Sequence, residues 1–298
     1  MSRQVQGYVY LTLAMLTVGS TVIASKLIAA GLSPFTATAA RFALAFPVFL
    51  LLMRLTGVRL PKLSRRDRLI LVIQAGAGSV GYTTLLISGL SLTSAADAGV
   101  IIGTLPVVSA AISILLLGER PQRGLLLAVA LATAGVFSIA FTPEAAGGSL
   151  AGNALILLAV VCEGLFILLN KRLTADIPPL AQSTLMTGIG FAVAVIPAAF
   201  EAPSAQGSTS AAAAVVYYAL VPTVAGFLLW YAGAERVSGT EASLFTALAP
   251  VSAVLLAFAT LGEPVGFSQL AGIACVLAAV LGLGLAGNRT ATQPTEGR

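Results

Sequence analysis

The sequence predicts an all-α integral membrane protein of ten transmembrane helices, arranged as two inverted five-helix repeats (5+5) with both termini cytoplasmic. Three observations predict it. Of 298 residues, 58% are hydrophobic and only 9% charged, whereas a soluble domain carries about 25% charged residues. Apolar runs of about 20 residues, the length that crosses a bilayer as a helix, recur between short polar breaks. The stretch Ser94 to Glu119, SAADAGVIIGTLPVVSAAISILLLGE, returns as Ser238 to Glu263, SGTEASLFTALAPVSAVLLAFATLGE, at a constant offset of 144.

The first half contributes runs at about 8 to 30, 35 to 54, 69 to 90, 95 to 117 and 124 to 142. The second contributes runs at about 150 to 169, 180 to 200, 212 to 233, 240 to 261 and 267 to 287. Alternating segments of about ten residues, the mark of a membrane barrel, are absent. The first run is long enough to span and carries no small-residue cleavage signature, so it reads as a retained helix and not as a signal peptide. Cys162 and Cys275 both fall inside predicted helices and read as packed thiols.

With a cytoplasmic N-terminus, the inner loops and tails hold fourteen of the sixteen basic residues, all but Lys26 and Arg41. The outer loops keep Asp97, Glu144, Glu201 and Glu263. That is the positive-inside bias, and it accounts for the net charge of +5 without any nucleic-acid partner. The longest loops, about 13 residues, leave no room for a soluble catalytic domain.

The repeat extends upstream. Gly7 matches Gly152, Gly19 matches Gly164, Lys26 matches Lys171 and Pro34 matches Pro179 at an offset of 145. Five helices per copy is an odd number, so equivalent helices cross in opposite directions, and two such halves can rock between inward-open and outward-open states. The division is residues 1–145, residues 146–288 and a disordered cytoplasmic tail at 289–298.

The whole chain resembles the drug/metabolite transporter superfamily of EamA type, bacterial inner-membrane carriers. The likeness rests on LGER and LGEP (Leu117 to Arg120, Leu261 to Pro264), on the following GLLLAVALATAGVFSI and QLAGIACVLAAVLGLG, and on the ARF of Ala40 to Phe42. It implies a 5+5 carrier that exports amino acids or other metabolites, and the pattern looks most like the aromatic amino-acid exporter branch. The second half departs from the first in having Met186 where the first has Arg41.

Polar and kinking residues inside spans are the candidates for function. Pro106 and Pro250 are matched between the halves; each removes a backbone hydrogen bond, either as a packing kink or as a bend that shapes a cavity. Glu163 lies mid-span with Val18 at its equivalent position. It reads as a substrate-amine or proton site, or as a buried group paired with Arg41. Arg41, six residues into its helix, either binds a carboxylate or snorkels to the outer face. Asp97 and Glu241 open the repeated helices, where a carboxylate suits the positive dipole end. Glu119 and Glu263 close the same helices against that preference, which leaves turn hydrogen bonding or a gate contact. Tyr82, set among small residues in QAGAGSVGYTTLL, is the aromatic candidate for a cavity wall, followed by Phe245 and Thr246. Lys26 and Lys171 read as snorkelling side chains, and Tyr8, Tyr10, Tyr217, Tyr218, Trp230 and Tyr231 as interfacial anchors.

With no histidine, imidazole metal sites and histidine-dependent triads are excluded, and no GxxxxGK[ST] loop is present to bind ATP. No cofactor or metal is expected, and an enzyme reading finds no support. A structural or sensory protein would need an exposed module. The remaining reading is a multi-pass secondary carrier in the bacterial inner membrane. Its partners are the lipid bilayer, a small amphipathic or zwitterionic substrate and, in one version, protons; a monomer suffices. Export of amino acids, aromatic ones included, is the first reading and export of drugs or other hydrophobic metabolites the alternative.

Overall fold

The computed structural model describes residues 2–105, 107–109, 111–112, 130–131, 134, 149–170, 172–202, 208–237, 245, 248–267, 269–275 and 277–278. Pro106, Glu119, Lys171, Glu241, Thr246 and the tail at 289–298 lie outside them. Every regular element among the described residues is helical: α1 (Arg3–Ala29), α2 (Pro34–Thr56), α3 (Arg65–Gln74), α4 (Tyr82–Leu90), α5 (Ala95–Ile102), α6 (Leu150–Asn170), α7 (Pro179–Ala198), α8 (Thr209–Tyr218), α9 (Gly226–Ala234) and α10 (Leu248–Leu256). Among the described residues, six helical stretches are long and apolar enough to cross a membrane: α1, α2, Arg65–Leu90, α6, α7 and Thr209–Ala234.

Local chemistry sets their starts and stops. Ser64 Oγ accepts from the Asp67 amide at 3.0 Å, and Ser94 Oγ accepts from the Asp97 amide at 3.0 Å, so an N-cap and a first-turn acid open both α3 and α5. Pro34 and Pro179 begin α2 and α7, where their missing N–H costs nothing. Gly57 ends α2 in the left-handed conformation at φ 71°.

Two of the membrane-crossing stretches are not α-helical throughout. α3 continues into α4 through a π-helical segment at Ala75–Gly81, and α8 continues into α9 through another at Ala219–Ala225. The two segments are 144 residues apart, the repeat offset, although their sequences, AGAGSVG and ALVPTVA, differ. Pro222 has no N–H for the carbonyl of Tyr218, and Thr223 Oγ1 donates to that carbonyl instead, at 2.9 Å. Gly78 stands at the position equivalent to Pro222, so a proline unmatched in sequence has its bend matched in space.

Helices of one half pack on helices of the other. α2 lies along α7, α1 runs against α9 and α10, and α4 against α6. Small residues permit the close approach, since lipid tails provide no hydrophobic drive for helices to associate. A methyl group added at Gly89 would fall 2.5 Å from Ile156, and one added at Gly233 would fall 2.7 Å from Leu11. Gly89 and Gly233 are repeat equivalents, as are Leu11 and Ile156, so one contact is made twice. The outward faces carry leucine, as at Leu51 and Leu55, 56% and 72% exposed, whereas the interior holds Ser25, Thr38, Gln74 and Thr187 at 0%. Cys162 and Cys275 are both free thiols.

One end of the bundle is held by charged groups on backbone. Glu263 accepts from the Ala95 and Ala96 amides at 3.2 and 3.0 Å, the first turn of α5. Glu201 accepts from the Phe35 and Thr36 amides at 2.9 and 2.7 Å, the first turn of α2. Glu263 therefore opposes the dipole of the helix it follows and satisfies that of a helix 167 residues earlier. Gly262, at φ 65°, makes the turn that aims it there. Asp97 occupies the first turn of α5, as its placement suggested, and also accepts from Gln269 Nε2 at 2.9 Å. Lys26, read as a snorkelling side chain, donates from its Nζ to the carbonyls of Leu90, the last residue of α4, and of Thr93 just beyond it, at 2.9 and 2.5 Å. At the opposite end Asp67 accepts from the Thr174 amide at 3.0 Å, and Gln74 and Gln182 both donate to Asn170.

Candidate functional site

A cavity of about 150 Å³ lies between α1, α2, α5, α6, α10 and the stretches Arg65–Leu90 and Thr209–Ala234, whose π segments are distinct from a third, at Ala257–Leu261 after α10. Gly78 and Ser79 of the first π segment line it, as does Pro222 of the second. Tyr82 and Thr83 follow the first segment into the cavity, and Gly226 and Phe227 follow the second. Both bends thus open onto one space, in keeping with the concentration of π-helical turns at functional sites.

Arg41 reaches this space from α2 and is 6% exposed, which corrects the snorkelling alternative. Its Nη2 donates to Thr83 Oγ1 at 3.0 Å and to the Ser79 carbonyl at 3.3 Å, and its Nη1 donates to Thr223 Oγ1 at 3.4 Å. The guanidinium lies 4.1 Å from the ring centre of Phe42 and 4.5 Å from that of Tyr218, within cation–π range of both. Its Nε has no hydrogen-bond partner among the described residues.

Glu163 lines the cavity from α6, and Val18, its repeat equivalent, lines it from α1. The direct pairing of Glu163 with Arg41 is not formed. Among the described residues the one ion pair within 4.0 Å joins Arg236 to Glu235, at 3.9 Å. An arginine and an ionisable acid therefore face a shared space without a direct ion pair, flanked by aromatic rings.

Tyr82 lines the cavity. Phe245 does not: it stacks on Tyr8 with ring centres 5.2 Å apart and packs with Ala14, Met15 and Ala249. Pro250 is buried in α10 beside Ala249, which lines the cavity, while Asp97 and Glu263 belong to the end of the bundle. Tyr218, Trp230 and Tyr231, read from sequence as interfacial anchors, also face the cavity. Their spacing carries the signal: Tyr218, Pro222, Gly226 and Trp230 recur every four residues and share one helix face. Tyr217, one position off that face, donates instead to Ser20 Oγ at 2.8 Å.

Residues 5–141 and again 150–285 match the EamA-like transporter family. The chain is 34% identical over 285 residues to the uncharacterized transporter YetK of Bacillus subtilis, covering 93% of this chain and 86% of that one. It is 30% identical over 239 residues to a probable terminal-alkyne amino-acid exporter of Streptantibioticus cattleyicolor, covering 78% and 76%. One solved crystal structure superposes with a TM-score of 0.67 over 96% of this chain and 99% of the other, at 21% identity, a likeness of fold.

Proposed function

Because the chain belongs to the EamA-like transporter family and is a multi-pass protein of the inner membrane, we propose that it exports amino acids, aromatic ones included, by alternating access. One observation carries the reading: Arg41 and Glu163 line the same cavity without touching, beside Tyr82, Phe227, Trp230 and Tyr231. An arginine and an acid held apart in a low-dielectric space are costly to keep ionised, and a zwitterion placed between them lowers that cost at both ends. Its carboxylate faces Arg41, its ammonium faces Glu163, and the aromatic wall receives its side chain. Glu163 is also the group proposed to carry a proton if export is proton-coupled.

The protein cycles as two inverted five-helix repeats, residues 1–145 and 146–288, with both termini cytoplasmic and a monomer as the working unit. Support comes from the doubled family match, the Gly89 and Gly233 contacts made twice, and the basic inner loops. Pro106, Pro250, Glu119 and Glu241 remain proposed kink or gate positions and Thr246 a proposed cavity residue. The alternative is export of drugs or other hydrophobic metabolites. A volume of about 150 Å³ is below the roughly 300–1,000 Å³ of pockets for drug-sized ligands and favours the smaller substrate.

The deciding experiment is efflux from proteoliposomes loaded in parallel with labelled phenylalanine, threonine and a cationic dye, with and without a pH gradient. Selective loss of phenylalanine is the expected result. Dye efflux alone would transfer the assignment to drug export.

A further inference from the structure

Resting on the carrier reading above, we infer that the two π segments are paired hinges of the transport cycle, and that Arg41 is the clasp that ties them together until an anionic group of the substrate engages its guanidinium.

The geometry supplies each part. π-helical turns are places where long helices bend, because the i→i−4 ladder is already interrupted there. Here two of them stand at equivalent positions, Ala75–Gly81 and Ala219–Ala225, and both border the cavity. Arg41 binds both: Nη2 donates to the Ser79 carbonyl and Nη1 to Thr223 Oγ1, and Ser79 and Thr223 are themselves 144 residues apart. One guanidinium thus bridges the same point of each hinge. No second clasp is built on the equivalent position, since Met186 there is fully buried against Leu71 and Ala75.

The clasp is made to open. Its bonds to Ser79 and Thr223 are 3.3 and 3.4 Å, longer than the roughly 2.7–2.9 Å of a close charge-assisted bond, and Nε is unfilled. A carboxylate meeting the guanidinium edge makes two shorter bonds in their place. Opening also strands no buried group. The Ser79 carbonyl keeps the Thr83 hydroxyl at 2.8 Å, and the Thr223 hydroxyl keeps the Tyr218 carbonyl at 2.9 Å. Phe42 and Tyr218 hold the guanidinium in the cavity throughout. Glu163, the acid lining the same cavity, repels a carboxylate when ionised, which leaves Arg41 as the carboxylate's partner. Thr223 is on this account a positioning residue that acts through Arg41.

The test labels a cysteine placed in the cavity by Val18→Cys, in full-length protein carrying Cys162→Ser and Cys275→Ser. A membrane-impermeant thiol reagent is applied from each face of the vesicle. Without ligand, Thr223→Val should raise labelling from the slower face by about threefold or more, the scale of one ordinary hydrogen bond lost. Arg41→Gln should reproduce that shift, and Thr223→Ser, which keeps the hydroxyl, should not. Phenylalanine should produce the shift with Arg41 and Thr223 intact and add nothing in Arg41→Gln. Phenylalanine amide, which lacks the carboxylate, should have no effect. Unchanged labelling in both Thr223→Val and Arg41→Gln, in folded protein, overturns the clasp, as does a Thr223→Ser shift equal to that of Thr223→Val. If Thr223→Val shifts labelling and phenylalanine never does, the clasp stands and the amino-acid assignment fails.

Discussion

Arg41 and Met186 occupy equivalent places in the two copies of the repeat, yet one lines the cavity from α2 with three hydrogen-bond partners and the other is packed at 0% exposure in α7. Glu163 and Val18 form a second such pair, facing the cavity from opposite copies with different chemistry. The scaffold around them keeps the repeat. The π segments, the Gly89 and Gly233 contacts and the placing of α1 and α6 all recur at the offset of 144 or 145. Duplication thus accounts for the architecture and divergence for the site. A carrier whose halves exchange shapes needs similar backbones in both, whereas a substrate with two different ends needs a cavity that is not symmetric.

The largest effect should come from making the halves alike where they differ. Arg41→Met copies the second half into the first and removes a charged partner, a loss of about 2–5 kcal/mol, so phenylalanine efflux should fall about 30-fold or more. Flux that persists would show that the asymmetry has no part in transport. Next, Glu163→Gln keeps the shape of the side chain and removes its ionisation. Efflux should lose its response to a pH gradient while substrate exchange continues at a reduced rate, and an unchanged response would exclude Glu163 as the proton carrier. A smaller effect probes what the halves share. Gly89→Ala and Gly233→Ala each press a methyl group into an equivalent helix contact, and each should cost about 1–3 kcal/mol, read as similar drops in thermal unfolding midpoint in detergent. A drop in only one would mean that the repeat is mechanically unequal there. Smallest is Glu263→Gln, expected to destabilise by about 0.3–1 kcal/mol through the first turn of α5 in the same measurement.

How far the site could be read from the chain differs residue by residue. Glu163, Arg41 and Tyr82 stood out because an ionisable or bulky group inside an apolar run is unusual whatever surrounds it. Trp230, Tyr231 and Tyr218 did not, because aromatic rings also belong at membrane interfaces, and the four-residue spacing that links Tyr218 to Trp230 marks a face without saying what it meets and leaves Tyr231 unmarked. Phe245, read from its mid-repeat position as a cavity candidate, packs on Tyr8 instead. The paired π segments had a partial signal, Pro222 in one copy, and none in the other, where glycines leave the backbone free to adopt the turn.

By itself the sequence determined the apolar runs, the repeat and the short list of polar groups inside them, since hydropathy, length and duplication are properties of neighbouring residues along the chain. The tertiary structure decided the convergence. Helix rotation and crossing set which faces meet, and no single helix encodes those. They brought Arg41 between two π segments, set Glu163 opposite Val18, and delivered Glu263 to the amides of a helix 167 residues upstream.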